Sequence, residues 1–306
     1  MRLDPGKIVD QRLKDFMAWL KENGLDEYFI VVGGGVRDAY LGKRLNDIDI
    51  GIKIPLTPKE RLQFLFSTNQ ANKRVYEYAL DKLQLLADKL GVEVDRFLPP
   101  IVGKENVLWN GIEIQYTGPI KLKSKSGKDV YIKRFLFDTE KRAIYLSGAG
   151  AGMLKMGLDA DWNLYGRVTA LEHFRDGVAR IVGGEENFYL GEVLRFLRLK
   201  YEYDLEVFLD DYELVKRTIA KFISGEEKIP KVIVEYVLIR QIAIISRTAL
   251  DWVSARQELI DIGIEKVVQK KLKMSIDELL ESGLANNIED VGSIPPADEA
   301  IIMAKE

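Results

Sequence analysis

Two aspartates, Asp47 and Asp49, stand two apart in the segment DIDIGIKI that begins at position 47. In a β-strand the side-chain period is two, so both carboxylates would project from one face while the isoleucines fill the other. Two ionised carboxylates held side by side repel each other unless a cation sits between them. Their hard oxygens suit Mg²⁺, usually shared with a phosphate. Just upstream, the apolar run from Phe29 to Val32 meets Gly33, Gly34 and Gly35, and a short helix-compatible segment follows with Arg37 and Asp38. Glycines let backbone N–H groups approach an anion, and Arg37 can clamp phosphate oxygens. Strand, tight turn, helix and second strand together describe a metal-dependent nucleoside-triphosphate site.

The rest of the chain must position these residues. Between positions 7 and 23 the apolar residues Ile8, Leu13, Phe16, Met17 and Leu20 mark an amphipathic helix that Gly24 stops. After the aspartate strand, Thr57-Pro-Lys-Glu60 reads as a capping box with proline at the first helical position. The helical region it opens runs to Leu90, with a break near positions 67–72, and Gly91 ends it. Residues 92–98 and 107–117 alternate like strands, and a hairpin is expected between Ile120 and Phe137. From Glu172 onward the pattern turns helical: 190–203, 210–223, 231–246 and 251–259 fit a period of 3.6. The tail begins near Ser293.

Composition bounds the chemistry. The 306 residues are 47% hydrophobic and 30% charged, the make-up of an ordinary soluble protein of one to three domains. With no cysteine, disulfides and thiolate metal sites are excluded. The single histidine, His173, excludes a multi-histidine metal site within one chain. The N-terminal segment has no apolar core of signal-peptide type, and no run approaches a membrane span, so a cytoplasmic location is expected. A net charge of −3 confines any nucleic-acid site to a local basic patch. Two lysine runs offer one: Lys121, Lys123, Lys125, Lys128, Lys133 and Arg134, and, more weakly, Lys266, Lys270, Lys271 and Lys273.

The order GGGVRD from Gly33, then LGK from Leu41, then DIDI from Asp47 resembles the head signature of the class II CCA-adding enzyme and poly(A) polymerase family. That family belongs to the polymerase-beta-like nucleotidyltransferases. The resemblance implies that Asp47 and Asp49 bind the catalytic metals, and that Gly33, Gly34, Arg37 and Asp38 form the turn that holds the triphosphate. It also implies an α+β fold: a nucleotidyltransferase head with a mixed sheet over residues 1–170, then an all-helical neck and body over residues 171–306. Such sites usually carry a third carboxylate on a neighbouring strand. Glu113, alternating with Ile112 and Ile114, is the first candidate and Asp95 the second.

A second phrase, DGVARIVGG from Asp176, resembles the start of the family's neck. In the segment that follows, Gly191 and Glu192 stand where the family has Glu-Asp, and Arg195 and Arg198 are kept. The family's third arginine is replaced by Glu202. Glu192 and Arg195 lie three apart, so they share one helical face. The resemblance assigns this acid and arginine to reading the incoming base, with Arg198 beside them. A carboxylate accepts from the amino group of cytosine or adenine, whereas uracil and guanine present a carbonyl there. An unmatched buried acceptor costs about 1–3 kcal/mol. A plain surface ion pair is the alternative for Glu192 and Arg195.

One family motif, RRDFTINA, is not found. Its place holds Gly148, Ala149, Gly150, Ala151, Gly152 and Met153. This departure touches ribose selection and leaves other acceptors open. The expected activity is template-independent transfer of nucleotides from CTP or ATP to an RNA 3′ end, with Mg²⁺ as cofactor. The resemblance points to tRNA as acceptor and to CCA or A addition. The alternatives are a nucleotidyltransferase acting on a small molecule or protein, and a non-catalytic RNA-binding relative.

Overall fold

The computed structural model describes residues 1–65, 69–92, 107–109, 112–116, 120–123, 126–132, 136–138, 143–144, 156–166, 169–181, 190–226 and 231–284. Through Leu171 these residues form one compact unit, and from Glu172 a second.

The first unit opens with a 3-10 turn, Pro5–Lys7, and then α1, Gln11–Glu22. Helix α1 starts four residues later than its apolar spacing predicts. The Asp10 side chain accepts from the Arg12 amide and caps the helix there, which leaves Ile8 in the turn before it. Gly24, at φ 65°, ends it as expected. Strand β1, Phe29–Val32, is buried at every position. It is followed by α2, Gly34–Tyr40, and β2, Asp47–Ile54. The capping box of α3, Pro58–Leu65, forms as predicted: Glu60 accepts from the Thr57 amide, and Thr57 Oγ1 accepts from the Glu60 amide. Helix α4, Asn69–Leu90, ends at Gly91.

Short strands complete the unit: β3 (Val107–Trp109), β4 (Ile112–Tyr116), β5 (Ile120–Lys123), β6 (Asp129–Ile132), β7 (Leu136–Asp138), β8 (Ala143–Ile144), β9 (Met156–Leu158) and β10 (Leu164–Gly166). The main sheet runs in the order β10-β9-β1-β2-β4-β3, and β7, with β8 beyond it, pairs with the far half of β2. It is mixed, as expected: β1 is antiparallel to β2, while β4 and β7 are parallel to it. Strands β5 and β6 make a separate hairpin. Buried Leu13, Phe16, Met17 and Leu20 of α1, and Val75, Ala79, Leu83 and Leu86 of α4, join the interior with Ile48, Ile50 and Ile52 of β2. Each large side chain so buried is worth about 1.5–3 kcal/mol. The aspartate strand is therefore central and anchored by its own isoleucines.

The boundary lies within α5, Thr169–Arg175. The second unit holds β11 (Val178–Ala179), α6 (Leu190–Tyr203), β12 (Glu206–Val207), α7 (Leu209–Ser224), α8 (Lys231–Thr248), α9 (Trp252–Asp261), α10 (Ile264–Leu272) and α11 (Ile276–Glu281). Helix α6 packs on α7 and α8, and α10 packs on α7, α8 and α9. Among its described residues the unit is helical apart from one two-residue parallel pairing, β11 with β12, which the sequence pattern did not show. No described helix is long and apolar enough to cross a membrane.

Candidate active site

Strand β2 alternates as its sequence predicts: Asp47 and Asp49 are half-buried on one face, Ile48 and Ile50 buried on the other. The antiparallel register sets Asp49 directly across from Val32, the last residue of β1. The chain then turns at Gly33, with φ 69° and ψ −142°, a conformation almost closed to residues with a Cβ. The space is closed as well, because a Cβ on Gly33 would lie 2.8 Å from Asp49 Oδ2. The glycine bend and Asp49 thus face each other across a gap too narrow for a Cβ.

On the opposite edge of β2, the parallel register pairs Asp47 with Glu113 and Asp49 with Gln115. Glu113 therefore occupies the backbone position beside Asp47 at which a third acid is sought; its side chain lies outside the described residues. Asp95 and residues 148–153 also lie outside them. Among the described residues no group of three or more histidine, cysteine, aspartate and glutamate side chains forms a metal cluster. The two aspartates nevertheless fit a hard divalent cation. They are oxygen donors on one strand face, and a Cβ on Gly33 would crowd the Asp49 oxygen that the cation needs.

Arg37 and Asp38 are placed differently from a pair waiting for phosphate. Arg37 is 4% exposed and Asp38 8%. Their charges meet as a fork, with Arg37 Nε 2.8 Å from Asp38 Oδ1 and Nη2 3.0 Å from Oδ2. The guanidinium lies under the turn, since a Cβ on Gly34 would come within 3.4 Å of Arg37 Nη2. Arginine and glycine turn are thus adjacent, and the charge is already shared with Asp38.

One group beside the site was missed in the sequence. Asp10 is 4% exposed, and Arg12 forks onto it with contacts of 3.0 and 2.6 Å. Asp10 Oδ2 also accepts from the Leu45 amide at 2.9 Å, and Arg12 Nη2 donates to the Leu45 carbonyl at 2.7 Å. The Arg12 guanidinium, bonded to Asp10, holds that carboxyl below its ordinary range. The only sequence signal was an acid at a helix N-cap.

In the second unit, Glu192 and Arg195 share the outer face of α6 as predicted, 3.5 Å apart. Arg198 pairs instead with Glu202, at 3.3 Å. The opposite side of α6 is buried through Leu190, Val193, Leu194 and Leu197. Arg180 of the DGVARIV phrase bonds Asp211 at 2.6 Å and stacks over the Phe208 ring at 4.3 Å.

Three lysines of the basic runs are engaged within the protein. Lys121 pairs with Asp129 at 2.8 Å. Lys270 donates to the Ile223 carbonyl at the end of α7, and Lys271 lies over the Phe222 ring. Lys128 is exposed, whereas the side chains of Lys123, Lys125, Lys133 and Arg134 lie outside the described residues.

No protein-family model matches the chain, and no curated protein matches it. Among solved structures it is similar to the Thermotoga maritima CCA-adding enzyme complexed with tRNA, at 16% identity and a TM-score of 0.53, over 99% of this chain and 62% of that one. It is also similar to a tRNA-processing enzyme in an apo form, at 14% identity and a TM-score of 0.51, over 86% of this chain and 58% of that one. The chain thus spans less than two thirds of the length of either. At such identities the likeness is one of fold, and this chain has the α+β fold of those CCA-adding and tRNA-processing enzymes.

Proposed function

We propose that this protein transfers nucleotides from CTP or ATP to the 3′ end of an RNA, with tRNA as the expected acceptor. In that reaction the terminal hydroxyl bonds to the α-phosphorus, the bond between α- and β-phosphates breaks, and pyrophosphate leaves. The observation that carries the reading is Asp49 facing the Gly33 bend, with Asp47 on the same face of the strand. Asp47 and Asp49 hold the Mg²⁺, with Glu113 as the third acid. The chemistry Mg²⁺ supplies there is activation of the hydroxyl and neutralisation of charge on the α-phosphate and the departing pyrophosphate. The Gly33 and Gly34 turn admits the triphosphate close to the backbone, and Arg37 with Asp38 sets the charge beneath it. Glu192 and Arg195 read the base edge, with Arg198 held beside them. The likeness in fold to a CCA-adding enzyme complexed with tRNA supports this choice of acceptor.

The test is incubation of the purified protein with Mg²⁺, CTP or ATP, and tRNA transcripts lacking the 3′ CCA. The expected result is extension of the transcript by one to three nucleotides. Absence of extension on every RNA of a broad acceptor panel would overturn the proposal, and label from the α-phosphate on a small molecule or protein would replace it.

A further inference from the structure

We infer that the Asp10–Arg12 ion pair is a positioning clasp for Asp47 and Asp49, an inference that rests on the metal-binding reading of those two acids. A helix N-cap needs one side-chain oxygen and is ordinarily solvated. Asp10 departs from that pattern, because its two oxygens accept from the Arg12 amide, Arg12 Nε, Arg12 Nη2 and the Leu45 amide. Arg12 Nη2 completes the loop by donating to the Leu45 carbonyl. Both backbone polar groups of Leu45 are therefore held by one ion pair from a helix more than thirty positions upstream.

Leu45 is where the acid strand needs fixing. The ladder between β1 and β2 runs from Phe29 opposite Ile52 to Val32 opposite Asp49, so on that side the pairing ends at Asp49. Asp47 lies beyond it, and Leu45 two residues further upstream. The Leu45 side chain is buried, and its Cδ2 would stand 3.2 Å from a Cβ on Gly35. One residue thus joins three things: the charged fork by its backbone, the glycine turn by its side chain, and Asp47 by chain continuity. Two carboxylates share a cation only if their oxygens are held within about 0.5 Å of the coordinating geometry, and fixing the backbone ahead of Asp47 supplies that constraint.

The test compares Asp10→Asn and Arg12→Gln with the parent protein and with Asp159→Asn. Asp159 is another buried acid of the same unit, which accepts from the Asp161 and Asn163 amides and from the Tyr165 hydroxyl. Arg12→Gln is the milder change, because Asp10 can still accept from the Leu45 amide. Two quantities are read: amide hydrogen exchange at residues 45–50, and Mn²⁺ affinity by electron paramagnetic resonance. In both clasp variants exchange at residues 45–50 should quicken by more than the loss of global stability accounts for. Mn²⁺ affinity should fall about tenfold, while Asp159→Asn lowers the melting temperature and leaves Mn²⁺ affinity unchanged. Local exchange that merely follows global stability, or Mn²⁺ loss equal in Asp159→Asn, would overturn the clasp. If the parent bound no Mn²⁺, the metal reading itself would fall, and exchange alone would decide whether Asp10 and Arg12 fix the strand.

Discussion

Gly33 and Asp49 sit so close that a Cβ on the glycine would lie 2.8 Å from the carboxylate oxygen. Gly33→Ala therefore meets two penalties: a conformation costing about 1–3 kcal/mol for any residue with a side chain, and a displaced Asp49. Nucleotide transfer should drop on the order of 100-fold, with a modest fall in melting temperature. At Gly34 the nearest obstacle is Arg37 Nη2 at 3.4 Å, so Gly34→Ala should be milder in both respects. Equal activity in Gly33→Ala and the parent would break the link between the bend and the acid.

Arg37 and Asp38 neutralise each other with side chains only 5% and 11% exposed. Removing one partner of such a pair strands the other charge out of water. Arg37→Ala should cost about 3–5 kcal/mol in urea unfolding, and the double change Arg37→Ala with Asp38→Ala should recover part of it. A single variant as stable as the parent would mean that Asp38 needs no partner there.

The Asp10 carboxyl is held below its ordinary value of 3.8, first by the hydrogen bond from Arg12. For a group with a depressed folded value, the stabilisation is complete above the ordinary value and is lost as pH falls through the folded one. Acid unfolding of the parent should thus draw on Asp10 only below about pH 4. Arg12→Gln removes the largest cause of the depression, so its acid-unfolding midpoint should move to higher pH. An unchanged midpoint would show that the fork does not set the acidity of Asp10.

Glu192 and Arg195 form a partly exposed pair on α6, of the kind worth under about 1 kcal/mol in stability. Glu192→Ala should accordingly leave the melting temperature nearly unchanged. If the pair reads the base edge, the preference for CTP and ATP over UTP and GTP should fall by roughly 5- to 150-fold, the equivalent of about 1–3 kcal/mol. Unchanged preference among the four nucleotides would return the pair to the status of a surface ion pair.

Much of this arrangement was legible in the residues. The bounds of α6 follow from an apolar stripe along Leu190, Val193, Leu194 and Leu197, with Phe196 and Leu199 buried beside it, long enough for the 3.6 period to show. The alternation of β2 followed from its isoleucines, and the capping box of α3 from Thr57 and Glu60. Helix α10, nine residues between left-handed Gly263 and Lys273, was not picked out in the sequence, although the equally short stretch 251–259 was. The Arg37–Asp38 fork escaped because neighbours one apart on a helix normally point apart. The Asp10 clasp escaped for a different reason: it joins a side chain to a backbone 35 positions away, and no local pattern encodes that. Glu113 shows the limit of pattern from the other side. Alternation suggested it, and the strand register sets it beside Asp47.

The most direct measurement is Mn²⁺ titration, followed by electron paramagnetic resonance, of the parent beside Asp47→Asn and Asp49→Asn. The account predicts binding in the parent and its loss in both variants, with folding intact by circular dichroism. Affinity that survives either substitution unchanged would contradict it.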